Sequence, residues 1–458
     1  MISSVEEGFA YLESFLNLER ADFKPRMLRL SRMRNLLEDF SNPQLSYRTL
    51  HVAGSKGKGS TSAFAASILH ASGLRTGLYS SPHVTSYRER VRVSDGCASD
   101  ELQVEQFERI RRYIDSIGAG VPEAQLPTTF ELLTLFAFLV FEASRCDAAV
   151  IEVGLGGRLD ATSLVRPEAS LITRIELEHT EFLGNTIRSI AAEKGAIIRR
   201  GTPVFVASQR EEAAQVFDRI SFLRRAPLNT LDGGASIEAA ITPGGTQIRI
   251  ALPGFAPIEA KLKLLGRVQA QNAALAAWAA LMVFPEVSQE SVGRGLEEAW
   301  LPGRSEIMTS QRGVRFLLDG AHTETSIGLL CDTVESLFTD VGKRVVIFGC
   351  VRGKSYRSML ARLRDTFATI VICRPGTFKP SDPELLEETC RELGAQYARR
   401  DDADQAISYA RNLLGKRGGV VAVTGSFYLV GKIRQALVAL DLVDGGEEGP
   451  IKDATACR

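Results

Sequence analysis

Neither sign of charge prevails in this chain: 55 Lys and Arg face 55 Asp and Glu over 458 residues. That balance argues against nucleic acid or an anionic membrane surface as the main partner. No apolar run reaches the roughly 20 residues that a membrane-spanning helix needs. The opening Met1-Ile2-Ser3-Ser4-Val5-Glu6-Glu7 lacks the layout of a signal peptide. The seven cysteines (Cys97, Cys146, Cys331, Cys350, Cys373, Cys390 and Cys457) are scattered, odd in number and without Cys-x-x-Cys pairs. Neither a disulfide scaffold nor structural zinc is expected, and reduced thiols in the cytoplasm are. Histidine is also scarce, at five residues, so each one near a strand end counts as a candidate. No internal repeat is evident.

A hydrophobic share of 45% and a mean hydropathy near zero describe a globular protein, and the length implies two or three domains. Strand and helix patterns alternate, which predicts an α/β fold with mostly parallel sheets. The first alternation has strands at 50–53, 75–80, 148–153, 169–173 and 203–207. Its helices fall at 61–72, 101–117, 129–143 and 187–199. Between 228 and 257 the pattern shortens around Gly233-Gly234 and Gly244-Gly245, reading as an antiparallel edge or a small β insertion. Helices at 269–283 and 290–299 precede Trp300-Leu301-Pro302-Gly303-Arg304, a candidate junction. A second, smaller Rossmann-like alternation follows, with strands at 315–318, 344–348, 369–373 and 419–424. The expected division is therefore 1–300, 301–441 and a mobile tail over 442–458.

The strongest local signal is Gly54-Ser55-Lys56-Gly57-Lys58-Gly59-Ser60-Thr61, between a buried strand and an Ala-rich helix. Glycines let the backbone come close, so that N–H groups can face an anion, and the helix N-terminus adds partial positive charge. Lys58 would neutralise phosphate oxygens, and the Ser60 or Thr61 hydroxyl would reach a magnesium ion. The spacing is shorter than the common phosphate-loop pattern. A plain surface loop is the competing reading, and the flanking strand and helix disfavour it.

Ligands in open α/β sheets gather at the carboxyl ends of strands. His51, His83, His179 and His322 all read as lying beside strand ends or turns. Glu152 ends the apolar run Ala148-Ala149-Val150-Ile151, and a lone buried carboxylate needs a cation or hydrogen-bond donors. It suits a magnesium ligand alongside Ser81 and His179, or it is a strand-end glutamate that reaches solvent. Lys194, in a helical pattern, reads from its neighbours as a surface lysine. Asp319-Gly320-Ala321-His322 offers groups for a ribose, an amine or a phosphate, or is ordinary turn chemistry. Arg304 at the junction is placed to reach a nucleotide between domains.

Taken together, these motifs resemble folylpolyglutamate synthase and dihydrofolate synthase, within the Mur ligase superfamily, over about Val5 to Leu440. The resemblance runs from His51–Ser60 through Ser80-Ser81-Pro82-His83 with Tyr87–Val91, Thr128–Glu131 and Ile151–Asp160. It continues through His179–Gly184, Glu193-Lys194, Gly266 with Gln269 and Asn272, and Pro302-Gly303-Arg304. Asp319–His322 and Thr424–Leu429 complete the order. It implies a Mur-ligase central domain that binds ATP through Lys58 and the loop. It also implies magnesium, in two sites, held by Ser60, Ser81, Glu152 and His179 with Lys194, which matches a lysine that the family carries as a carbamate. Asn272, Arg304 and Asp319 match nucleotide positions, and Ser81, His83, Arg90 and His322 match substrate positions.

The implied reaction is ATP-driven amide formation between L-glutamate and a folate or dihydropteroate carboxylate, in a cytoplasmic monomer. Lys56 departs from the usual Asn, Gly195-Ala196 from Ala-Gly, Thr323-Glu324 from Asn-Pro, and Gly353-Lys354-Ser355 from an Asp-Lys-Asp sequence. These bear on substrate preference more than on reaction type. The alternatives are a cell-wall amino-acid ligase, a nucleotide hydrolase or regulatory ATPase, and a non-catalytic metabolite-binding protein on the same fold.

Overall fold

Alternation along single strands fixes the layers. In the run Ala148–Glu152, Ala148 and Val150 pack into one core and Ala149 and Ile151 into another. A strand can be apolar throughout when helices cover both faces of its sheet. The structure, a computed structural model, describes residues 1–17, 30–94, 96–117, 125–242, 244–310, 313–339, 343–376, 380–415 and 419–439. The expected mobile tail at 442–458 lies outside them.

The first sheet comprises β1 (Arg48–Ala53), β2 (Thr76–Tyr79), β3 (Val91–Val93), β4 (Ala148–Glu152), β5 (Ala169–Ile172), β6 (Val204–Val206) and β7 (Leu228–Thr230), ordered β3-β2-β4-β1-β5-β6-β7. All its pairings are parallel except that of β3 with β2. β1 lies between β4 and β5, so the chain switches direction across the sheet at β1. A crevice opens at the carboxyl ends of such strands. On one face the helices Lys58–Ala71 and Arg267–Val283 pack together, and their many alanines permit close approach. The apolar helix Thr129–Ala143 fills the other face.

A separate antiparallel sheet follows: β8 (Ser236–Thr242), β9 (Gly245–Ala251) and β10 (Ile258–Leu262), with β9 central. The expected β segment from 228 therefore divides. Leu228–Thr230 is a parallel edge strand of the first sheet, and only the later part forms the insertion. A three-residue strand has too little periodicity to reveal its sheet.

The third sheet holds β11 (Glu306–Thr309), β12 (Arg315–Leu318), β13 (Arg344–Phe348), β14 (Thr369–Ile372), β15 (Tyr397–Arg399) and β16 (Val420–Thr424), ordered β11-β12-β16-β13-β14-β15. Only β11 runs antiparallel. β3, β11 and β15 are short and unanticipated, as are the helices Val5–Glu13, Leu30–Asp39 and Glu211–Arg224. The helix expected over 187–199 ends at Gly195.

Candidate active site

The loop after β1 is shaped by close approach. Gly54 has φ +147°, and a Cβ there would lie 1.8 Å from Thr173 Oγ1. Gly57 has φ +90°, and a Cβ there would lie 2.4 Å from Asn272 Oδ1. At Gly54 the contact extends to the Thr173 backbone and leaves no room for a side chain, whereas at Gly57 it is with the end of the Asn272 side chain, and the left-handed backbone there favours glycine independently. Gly57 caps the helix Lys58–Ala71, which starts three residues earlier than the sequence pattern suggests. Lys58, Gly59, Ser60 and Thr61 thus form the first turn, where backbone N–H groups lack intrahelical partners save for Thr61, whose N–H donates to Gly57 O at 2.9 Å. The Ser55 and Lys56 amides behave differently: both donate to Arg174 O, at 2.9 and 3.2 Å.

Two lysines meet behind this loop. Lys58 Nζ donates to Gly54 O at 3.1 Å, and Lys194 Nζ donates to the same oxygen at 2.7 Å. Lys194 is 2% exposed and pairs with Glu178 at 2.9 Å, so it is not the surface lysine that its local pattern suggests. Tertiary packing buries it: a Cβ on Gly157 would lie 2.7 Å from Glu193 O, so the Gly156-Gly157 turn runs directly along the helix end. Burial and the neighbouring Lys58 charge pull the Lys194 ammonium down to about 8, against the pull of Glu178. Burial alone would raise Glu178, but Lys194, Lys58 and Lys56 outweigh it and hold the carboxyl at about 2. His179 adopts φ +46° at the start of a short helix; its side chain is exposed, yet the surrounding protein desolvates the imidazole enough to lower its pKa, and Glu178 opposes.

Glu152 ends β4 and is 2% exposed, so it does not reach solvent. Its Oε2 accepts from the Ser81 amide at 3.1 Å. A Cβ on Gly59 would stand 3.6 Å from that oxygen and 3.9 Å from Arg304 Nη2. The helix start, the strand end and the junction arginine therefore come near one spot. Burial raises the Glu152 carboxyl, opposed by the charges of Lys58, Arg304 and Arg90. Ser60 and Thr61 are buried, and Thr61 Oγ1 has no hydrogen-bond partner among the described residues.

The third sheet supplies the far wall. Arg304 Cζ lies 4.1 Å over the Phe427 ring, a cation–π contact across the sequence. Asp319 accepts from Ser305 N and Oγ, both at 2.8 Å, and from Ala321 N at 2.8 Å. Its carboxylate thereby shapes the turn that leads to His322. His322 Nδ1 lies 2.8 Å from Gly320 O. Burial, then the Lys56 charge, brings its imidazole down to about 3. Closer to the first sheet, Arg90 Nε donates to His83 Nδ1 at 2.9 Å, and the His83 ring lies 4.1 Å from that of Tyr87.

His51 stands apart from this group. It lies within β1, fully buried, with Nε2 2.9 Å from Thr162 Oγ1, so it is a core histidine and no strand-end group. Sequence reasoning passed over Glu178 as a site residue, although it directly precedes His179. It also passed over Thr173 and Phe427, whose roles depend on contacts with Gly54 and Arg304 far away in sequence.

Among the described residues, no group of three or more His, Cys, Asp and Glu side chains forms a ready cage for a metal. Mg²⁺ does not require one: a carboxylate with waters and substrate phosphates is its usual setting. The buried Glu152 carboxylate and the unpartnered Thr61 hydroxyl fit that requirement. No described helix is long and apolar enough to cross a membrane.

Family models match the chain over 52–280 as the Mur ligase middle domain and over 303–427 as the Mur ligase glutamate ligase domain. The dihydrofolate synthase/folylpolyglutamate synthase of Bacillus subtilis is 32% identical, covering 89% of this chain and 94% of its own. The folylpolyglutamate synthase of Lacticaseibacillus casei is 29% identical over 94% and 98%. Among solved structures, folylpolyglutamate synthase from Mycobacterium tuberculosis complexed with ADP superposes with a TM-score of 0.84 at 27% identity, covering 96% of this chain and 99% of that one. A folylpolyglutamate synthase complex with AMPPCP and folate gives a TM-score of 0.80 at 27% identity, over 95% and 100%.

Proposed function

The chain belongs to the folylpolyglutamate and dihydrofolate synthase family of Mur ligases, and from that premise we propose that it joins L-glutamate to a folate or dihydropteroate carboxylate at the expense of ATP. The observation that carries the reading is the convergence of Lys58 and Lys194 on Gly54 O, with Glu152 and Arg304 both approaching the helix start at Gly59. That arrangement concentrates positive charge around the buried Glu152 carboxylate at the end of its strand and the half-buried Glu178.

ATP lies with its phosphates at the first turn of the helix Lys58–Ala71, where glycines 57 and 59 leave room. Lys58 and Arg304 offset charge on the phosphoryl oxygens, so catalysis is mainly positioning and electrostatics. Glu152, Ser60, Thr61, Ser81 and His179 are the residues that would hold Mg²⁺, which supplies charge neutralisation at the phosphates. Lys194 would act as its carbamate: the neutral amine bonds the carbon of CO₂ and loses a proton, leaving an anion for a second Mg²⁺. Asn272 and Asp319 fix the walls around the nucleotide, and Ser81, His83, Arg90 and His322 orient the acids.

An oxygen of the acceptor carboxylate attacks the γ-phosphorus, ADP leaves, and an acyl phosphate forms. The amine of L-glutamate then attacks the acyl carbon, and phosphate departs with the acceptor's oxygen. Enclosure between two sheets keeps water from the acyl phosphate. We assign the protein to a monomeric state with dihydropteroate or a reduced folate as the acceptor. Phosphate release from ATP tests this, measured with and without glutamate and with dihydropteroate or tetrahydrofolate. Release should require glutamate and one of the acceptors; release indifferent to both would replace the ligase with a hydrolase.

A further inference from the structure

The segment that links Ser81 and His83 to Arg90 is held from two sides. From within, the Glu89 carboxylate accepts from the amides of Val84 at 2.7 Å, Thr85 at 2.9 Å and Ser86 at 3.0 Å. From across the interface, the last described helix, Phe427–Ala439, presses on Val84 and Thr85. Gly431 in that helix faces the Val84 carbonyl so closely that a Cβ would lie 1.9 Å from its oxygen. Gln435 Nε2 donates to Thr85 O at 3.2 Å. The Val84 side chain packs into the core of the third sheet with Leu429, Val430 and Ile433. A Cβ on Gly303, in the junction motif beside Arg304, would meet Val84 Cγ2 at 3.2 Å.

The helix is itself anchored to the junction. Arg434 Nε lies 3.1 Å from both Glu306 carboxylate oxygens, and both side chains are buried. Glu306 Oε2 accepts from the Gly303 amide at 3.0 Å, and Arg434 Cζ lies 5.6 Å over the Trp300 ring. The Arg434 charge also favours the ionised form of Glu89, which burial disfavours. Glycine within a helix is unfavourable relative to alanine. Its presence at 431 is explained by the backbone of another lobe lying against it.

We propose that Gly431 is a positioning residue: by offering bare backbone to the Val84 carbonyl, the helix Phe427–Ala439 sets where Ser81, His83 and Arg90 point. The inference rests on the assignment of those three residues to acceptor binding. It makes the grip on the acceptor acid depend on the C-terminal lobe, through a contact that touches neither substrate.

The test compares Gly431→Ala with Gly328→Ala, a helix glycine of the same lobe with open space around it. A misplacement of about 1 Å can cost about a hundredfold, so Gly431→Ala should raise the KM for the folate acceptor by about tenfold or more. The KM for ATP should change less than that for the acceptor, because only Ser81 of the three also serves the Mg²⁺ site, and Gly328→Ala should match the wild type in both. Amide hydrogen exchange gives a readout independent of turnover: the Val84, Thr85 and Ser86 amides should lose protection in Gly431→Ala. Gln435→Ala, which deletes one hydrogen bond, should show the same pattern more weakly and carries the test if Gly431→Ala does not fold. Wild-type acceptor KM and wild-type exchange in Gly431→Ala would overturn the inference, as would a parallel loss for ATP and acceptor with those amides still protected. A wild-type protein whose phosphate release ignores the acceptor would instead refute the functional assignment, and the exchange comparison would still decide the seating.

Discussion

Lys58 and Lys194 share one acceptor, the carbonyl oxygen of Gly54, at 3.1 and 2.7 Å. Two ammonium groups on one oxygen repel. Burial, and then the Lys58 charge, pulls the Lys194 ammonium from the usual 10.5 down to about 8. An appreciable neutral fraction near physiological pH is what a lysine needs to add CO₂, since only the unprotonated amine has a free lone pair.

Carbamate formation on Lys194 should therefore grow as pH rises through about 8. With carbon-13 bicarbonate, a carbamate carbon resonance is expected in the wild type and not in Lys194→Arg. Lys194→Ala should lower turnover on the order of a hundredfold or more, with partial rescue by a small carboxylic acid. A resonance unchanged in the arginine variant would place the modification elsewhere.

Glu152→Gln separates charge from shape. The buried carboxylate is destabilised by its surroundings, so the neutral amide should leave the thermal midpoint unchanged or raise it. Phosphate release should fall by about a hundredfold or more, because the neutral amide binds a divalent cation far less well. A fall in midpoint with near-normal activity would show that Glu152 serves the fold alone.

At Gly57 two constraints act together, the φ of +90° and the Asn272 side chain. Gly57→Ala should cost about 1–3 kcal/mol of stability and abolish measurable ATP affinity by calorimetric titration. Trimming the obstacle, in Gly57→Ala with Asn272→Ala, should not restore the lost stability, since the backbone strain remains. Full restoration would make the clash the sole reason for glycine.

Two groups give the stability profile opposite edges. Glu178 is held at about 2 in the fold against an ordinary 4.5, so its contribution is present above the unfolded value and is lost as pH falls from about 4.5 toward 2. Lys194 is depressed from 10.5 to about 8, so the unfolded chain binds more protons between these values and stability rises with pH there. Urea midpoints across pH should show both slopes in the wild type. The acid slope should flatten in Glu178→Gln and the alkaline slope in Lys194→Ala.

What could be read beforehand depended on where the informative neighbours lie. The turn after β1 is legible as a strand–turn–helix because its glycines, lysines and hydroxyls are consecutive and sit between a strand and a helix. Lys194 was legible only through resemblance to a family: its sequence neighbours describe an ordinary helix, while Gly54 and Glu178 bury it from other parts of the chain. His51 misled because a histidine near a loop looks functional, whereas Thr162, its partner, comes from a turn over a hundred residues away. Leu228–Thr230 was drawn into the β insertion because three residues carry no period. The seat between Val84 and Gly431 had no sequence signal beyond a glycine inside a helix.

The central claim is that the acceptor's own carboxylate attacks ATP. Acceptor acid carrying heavy oxygen in that carboxylate, incubated with ATP and glutamate, tests it in a single turnover by mass analysis of the released phosphate. One labelled oxygen per phosphate is the predicted result. Phosphate whose extra oxygen comes from water would contradict the account.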